Sequence, residues 1–115
     1  MEWKQRKERI RRKIKKLNEQ KLPRLCIYRS GLNFYSQLID YNTGNILAEA
    51  STLSKEFKES KLKSYNVEGA KFVGQIIGEK IKNKNINQVI FDRSGYKFHG
   101  RVKSFVDSVK EFIKI

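Results

Sequence analysis

The chain has one Cys (Cys26), one His (His99), one Pro (Pro23) and one Trp (Trp3). A single thiol cannot close an internal disulfide, which argues against a disulfide-stapled secreted domain. One His and one Cys cannot supply the four N or S ligands of a structural zinc. Long apolar runs are missing too: none approaches the roughly 18 residues that cross a bilayer as a helix. Acidic residues are scarce, 12 Asp+Glu against 26 Lys+Arg, leaving +14 on 115 residues and a pI near 10.0. What is present is 38% hydrophobic residues, enough for one modest core. The expectation is a small soluble protein of a reducing compartment whose surplus cations answer a polyanion.

The charge is uneven. Residues 1–24 hold 11 Lys/Arg and three acids, a net of +8, leaving +6 for the other 91 positions. Pro23 closes this segment, so the chain divides into a basic N-terminal arm, residues 1–22, and a single α/β domain, residues 23–115. In the arm Trp3, Ile10, Ile14 and Leu17 trace one helical stripe. Lys4, Arg6, Arg9, Arg11, Arg12, Lys13, Lys15 and Lys16 cover the remaining faces. Like charges at i,i+4 repel, so this helix is expected to fray alone and form against RNA phosphates. A solvated tail, a membrane-surface helix and a transit peptide are the other readings. The short apolar stripe disfavours the membrane helix, and the acidic residues and lack of Ser disfavour the transit peptide.

In the domain, residues 24–29, 34–40 and 46–51 read as three strands separated by the turns Ser30-Gly31-Leu32-Asn33 and Tyr41-Asn42-Thr43-Gly44-Asn45. Links this short require an antiparallel meander. Residues 53–65 read as charged, irregular and exposed, with at most a helical turn. Asn66 is a candidate N-cap for a helix whose face is Ala70, Val73, Ile77 and Ile81, and Asn85 is a candidate C′ residue. Gly74 and Gly78, in a row with Ala70, are expected where the helix backbone lies close to the sheet. Residues 88–92 read as a strand parallel to one in the meander. Val102, Phe105, Val106, Val109, Phe112 and Ile113 trace a last helix. The predicted order is βββαβα: a mixed sheet of a three-stranded antiparallel meander plus one parallel strand, with two packed helices.

Two regions carry candidate chemistry. Between the fourth strand and the last helix, residues 92–101 gather Arg93, Ser94, Gly95, Tyr96, Lys97, Phe98, His99, Gly100 and Arg101. Glycine loops and helix entrances offer N–H groups to phosphate, and rings at such a place stack on unpaired bases. The alternative is that Phe98 and His99 tuck into the core edge and the cations are merely solvated. The second region is the first hairpin, with Arg24, Tyr28, Arg29, Ser30, Asn33 and Tyr35. Alternation sets Leu25, Ile27 and Arg29 on one face and Arg24, Cys26 and Tyr28 on the other. Which face is wet, period alone leaves open. Asp92 with His99, or Cys26 with His99, lacks a third orienting group, and no Walker loop or G-x-S-x-G occurs. A two-metal nuclease would want three or four converging carboxylates. No catalysis, cofactor or metal is expected, and Cys26 reads as buried and inert.

Pro-Arg-Leu-Cys-Ile-Tyr-Arg-Ser at 23–30, Tyr-Ser-Gln-Leu-Ile-Asp at 35–40, Ala-Ser-Thr-Leu at 50–53, Ala-Lys-Phe-Val-Gly at 70–74 and Phe-Asp-Arg-Ser-Gly-Tyr-Lys-Phe-His-Gly-Arg-Val-Lys at 91–103 resemble one family. It is the bacterial-type large-subunit ribosomal protein eighteen family. The resemblance implies a structural ribosomal protein that binds 5S rRNA and bridges it to the large-subunit rRNA in the central protuberance. Neighbouring large-subunit ribosomal proteins would be partners, on a cytoplasmic or organelle ribosome, with no membrane or small-molecule substrate. It marks Arg24, Arg29, Ser30, Tyr35, Thr52, Arg93, Gly95, Tyr96, His99, Gly100 and Arg101 as RNA-contacting. Many members have Gly where this chain has Ser94. The rival reading is a stand-alone RNA-binding accessory factor or RNA chaperone.

Overall fold

The computed structural model describes residues 21–62 and 66–115. The arm cations Lys4 to Lys16, and the arm's expected helix, lie outside the described residues. Beyond Pro23 the alternating, β-branched and aromatic segments form β1 (Arg24–Arg29), β2 (Phe34–Ile39) and β3 (Ile46–Ser51). Both β1–β2 and β2–β3 pair antiparallel, with Cys26 opposite Gln37 and Tyr28 opposite Tyr35. The later strand β4 (Ile90–Asp92) joins the free edge of β1 in parallel, setting Cys26 beside Asp92 and completing the order β3-β2-β1-β4. The mixed sheet and the βββαβα order are thus as read from sequence.

Among the described residues the helices are α1 (Lys55–Ser60), α2 (Val67–Asn83) and α3 (Arg101–Val109). Leu25, Ile27, Phe34, Leu38, Ala48 and Ala50 from the sheet meet Ala70, Val73, Ile77, Ile81, Val102 and Phe105 from α2 and α3 in one buried core. This settles the face that period left open. Leu25 and Ile27 lie under the helices, and Tyr28, on the opposite face, is 53% exposed.

α2 begins where its sequence says it should, with the Asn66 side chain accepting the Gly69 N–H at 2.8 Å. It ends in a Schellman arrangement. Asn85 takes a left-handed φ of 62° and its N–H donates to Lys82, while the Ile86 N–H donates to Ile81.

Three expectations need correction. The small-residue row of α2 faces α3 and not the sheet: a Cβ on Gly74 would sit 2.6 Å from the Phe105 carbonyl oxygen, and one on Gly78 2.7 Å from the Phe112 ring. The close approach lets Ser108 donate to the Lys71 carbonyl at 2.8 Å across the pair. Residues 55–60 form a helix rather than an irregular exposed stretch, because Phe57 is buried edge-on against Phe72 of α2. The last helix stops at Val109 although its apolar stripe runs to Ile113. There the backbone turns to pair with residues 87–89, the Val89 N–H donating to Lys114 and the Lys114 N–H to Asn87.

Candidate nucleic-acid interface

The C-terminal ends of β1, β3 and β4 lie at the same end of the sheet, which brings the two candidate regions of the sequence together. β4 leaves the sheet after Asp92, while β1 runs on to Arg29. The N–H and C=O of Arg29 would then be an unpaired strand edge. The Tyr96 hydroxyl takes the place of the missing strand, accepting from the Arg29 N–H and donating to the Arg29 carbonyl, both at 3.2 Å. The Arg29 guanidinium in turn stacks on the Tyr96 ring, 4.9 Å from its centre. Arg101, the first residue of α3, reaches across and donates through Nη2 to the Ser30 carbonyl at 3.2 Å. Burial, and then the neighbouring Arg29 charge, lower the Arg101 guanidinium from its ordinary pKa; it remains charged at neutral pH.

The hairpin turn is held from the other side by β3. Ser30 and Asn33 close it through their backbones, and the Ser30 hydroxyl accepts the Asn33 N–H at 3.0 Å. The Thr52 hydroxyl accepts the Phe34 N–H and donates to Asn33 Oδ1 at 2.9 Å. Thr52 is only 3% exposed, so its place is beneath the turn and not on the surface.

The loop after β4 is a tight turn over residues 93–96, closed by the Tyr96 N–H on the Arg93 carbonyl. Its central residues, Ser94 and Gly95, both take positive φ, 57° and 84°. Glycine tolerates that conformation; for Ser94 it costs about 1 kcal/mol. The Asp92 carboxylate offsets this by accepting the Ser94 N–H at 2.8 Å while pairing with Arg24 at 3.0 Å. Asp92 is thereby committed to the loop and to Arg24. Ser94 and Gly95 are buried, whereas Lys97, His99 and Gly100 are exposed and Phe98 is 43% exposed. Phe98 and His99 therefore do not tuck into the core edge. Tyr35 packs against Tyr28 on the sheet face opposite the helices, their rings 5.7 Å apart.

Of the sequence candidates, the structure gathers Arg29, Ser30, Asn33, Tyr96 and Arg101 into one cluster, sets Arg93, Lys97, His99 and Gly100 on the same loop, and keeps Arg24 apart as the partner of Asp92. Among the described residues no carboxylate pairs with Arg29, Arg93, Lys97 or Arg101. Sequence reasoning treated hairpin and loop as two surfaces. No period or motif signals the Tyr96 hydroxyl bridging them, because that bond follows from β4 being three residues shorter than β1.

Fold and charge together define a small, strongly basic two-layer α/β domain in which Arg29, Arg93, Lys97 and Arg101 meet at one end of the sheet. The chain belongs to the family described as Ribosomal L18 of archaea, bacteria, mitochondria and chloroplast, whose model matches residues 1–113. It is 46% identical over 106 residues to the large ribosomal subunit protein uL18 of Thermotoga petrophila, covering 92% of this chain and 85% of that one. It is 45% identical over 103 residues to the uL18 of Kosmotoga olearia, covering 90% and 83%. The Pseudomonas aeruginosa uL18 is 44% identical over 103 residues, covering 90% and 87%.

Proposed function

We propose that the protein is a structural constituent of the large ribosomal subunit that binds 5S rRNA and helps attach it to the large-subunit rRNA in the central protuberance, without catalysing a reaction. The supporting observation is the convergence of Arg29, Arg93, Lys97 and Arg101 at one end of the sheet, on the same loop and turn as His99, with no carboxylate of the described residues to neutralise the four cations. Such an end suits a phosphate backbone, and Phe98, Tyr28 and Tyr35 offer rings to unstacked bases. Thr52, Ser94 and Gly95, being buried, act by holding the turns in shape, and Arg24 by fixing Asp92. The ten Lys/Arg of residues 1–22 add phosphate contacts of low sequence preference. Family membership supports the ribosomal setting.

The test is the affinity of the full chain for 5S rRNA across salt concentrations. Log affinity is expected to fall with log salt by about 0.7–0.9 per phosphate engaged, and deletion of residues 1–22 should flatten that slope. Salt-insensitive binding, or equal affinity for any duplex, contradicts the reading. Cosedimentation in stoichiometric amount with high-salt-washed large subunits separates it from a stand-alone RNA chaperone.

A further inference from the structure

Arg101 reaches the carbonyl of Ser30, the residue next to Arg29, yet the two arginines stand 72 residues apart in the chain. Each is fixed at one point: Arg29 by its stack on Tyr96, Arg101 by its bond to the Ser30 carbonyl. Neither is satisfied. Arg29 Nε and Arg101 Nη1 are shut off from water and donate to nothing among the described residues. Two like charges and two unmet donors are held together by the Tyr96 loop, where a solvated arginine would simply swing away. Only an acceptor carrying negative charge removes both costs at once. Guanidiniums match the tetrahedral oxygens of a phosphate through paired N–H donors. The first turn of α3 adds to this. It holds no acidic residue, and its cap, Gly100, has no side chain to occupy the terminal N–H groups.

We propose that Arg29 and Arg101 form one seat for a single phosphate group of the RNA backbone, with Tyr96 as the positioning residue between them. This rests on the RNA-binding reading and adds to it a stoichiometry: two arginines, one phosphate. Tyr96 aligns Arg29 by ring stacking and braces the strand edge through its hydroxyl.

The stoichiometry is testable by a double-mutant cycle in the full chain, using Arg29→Gln, Arg101→Gln and the pair, with 5S rRNA at several salt concentrations. Each single variant should bind about tenfold more weakly and lose roughly 0.7–0.9 from the log–log salt slope. The double variant should lose little more than the worse single and show the same slope. Losses that multiply, with the slope falling twice as far, would mean two separate phosphates and overturn the seat. Should either Gln variant fail to fold by circular dichroism, Arg29→Lys and Arg101→Lys carry the affinity part of the cycle: they keep the charge and with it the salt slope, remove the fork, and should again give losses that do not multiply.

If the chain does not bind 5S rRNA, the RNA reading fails and inorganic phosphate decides the seat alone. Titration followed by NMR of the arginine Nε–H signals should then move Arg29 and Arg101 with one shared dissociation constant. Loss of either arginine should silence the other's shift. No shift, or two unrelated constants, would overturn the seat.

Discussion

At one end of the sheet, the turn between β2 and β3 closes on itself. Asp40 accepts the Asn42 and Thr43 N–H groups and the Thr43 hydroxyl, Gly44 supplies a φ of 74°, and every bond stays within six residues. At the other end, the turn between β1 and β2 is tied to Thr52 just after β3, to Tyr96 from the loop after β4, and to Arg101 from α3. Both turns connect antiparallel strands, and a local turn suffices for that. Among the described residues, distant ones are invested in only one of the two turns, and they mark the end whose shape matters beyond the fold. Charge agrees: the self-contained turn carries Asp40 and no cation, the assembled end four cations that no carboxylate of the described residues pairs with.

The largest expected effect breaks both ends together. Gly74→Ala would push a methyl to 2.6 Å from the Phe105 carbonyl and 2.9 Å from Ser108 Cβ, forcing α2 and α3 apart. A loss of about 3 kcal/mol in urea denaturation is expected, with both turns loosened alike. Thr52→Val removes a buried hydroxyl and strands the Phe34 N–H and Asn33 Oδ1. It should cost about 2 kcal/mol and weaken 5S rRNA binding while its side chain touches no RNA. Tyr96→Phe keeps the ring under Arg29 and removes the hydroxyl that braces the strand edge, costing about 1–2 kcal/mol. Ser94→Gly should go the other way. Relief of a left-handed serine whose buried hydroxyl has no partner among the described residues should raise stability by about 1 kcal/mol.

The smallest effect belongs to the self-contained turn. The Thr43 backbone and side-chain bonds hold the Asp40 carboxyl below its ordinary pKa. Its contribution is therefore complete at neutral pH and lost as the pH falls through and below the ordinary carboxylate range. Asp40→Asn should give the least change of Tm in the set, and one that fades in acid. RNA affinity should not change at all. An Asp40→Asn loss of affinity matching that of Thr52→Val would erase the distinction between the ends.

What could be read in advance followed from local chemistry. The bounds of β1 and β3 are fixed by Pro23, by the Ser30–Asn33 and Tyr41–Asn45 turns, and by alternation, all visible within ten residues. The Asn66 cap and the left-handed Asn85 were legible for the same reason. The features that period did not reveal are non-local. Gly74 and Gly78 announce a close approach but do not name the partner, since a sheet and a helix make the same demand of a small residue. Phe57 is one ring in a charged run, below any periodic signal, and its burial in the core against Phe72 is what favours α1. The stripe from Val102 to Ile113 is real, as Ile113 is buried and Phe112 packs on Gly78. The helix nevertheless stops at Val109, because pairing with residues 87–89 competes for its backbone. The site shows the same division. Its residue types were plain in the sequence, but their meeting depends on Tyr96 filling an edge that a longer β4 would have covered.

The most direct test of this account is amide hydrogen exchange of the full chain with and without 5S rRNA. Slowed exchange at residues 29–33 and 93–101, with residues 40–45 unchanged, is the predicted result. Protection at the Asp40–Asn45 turn, with the Arg29–Arg101 end left as open as in the unbound protein, would contradict it.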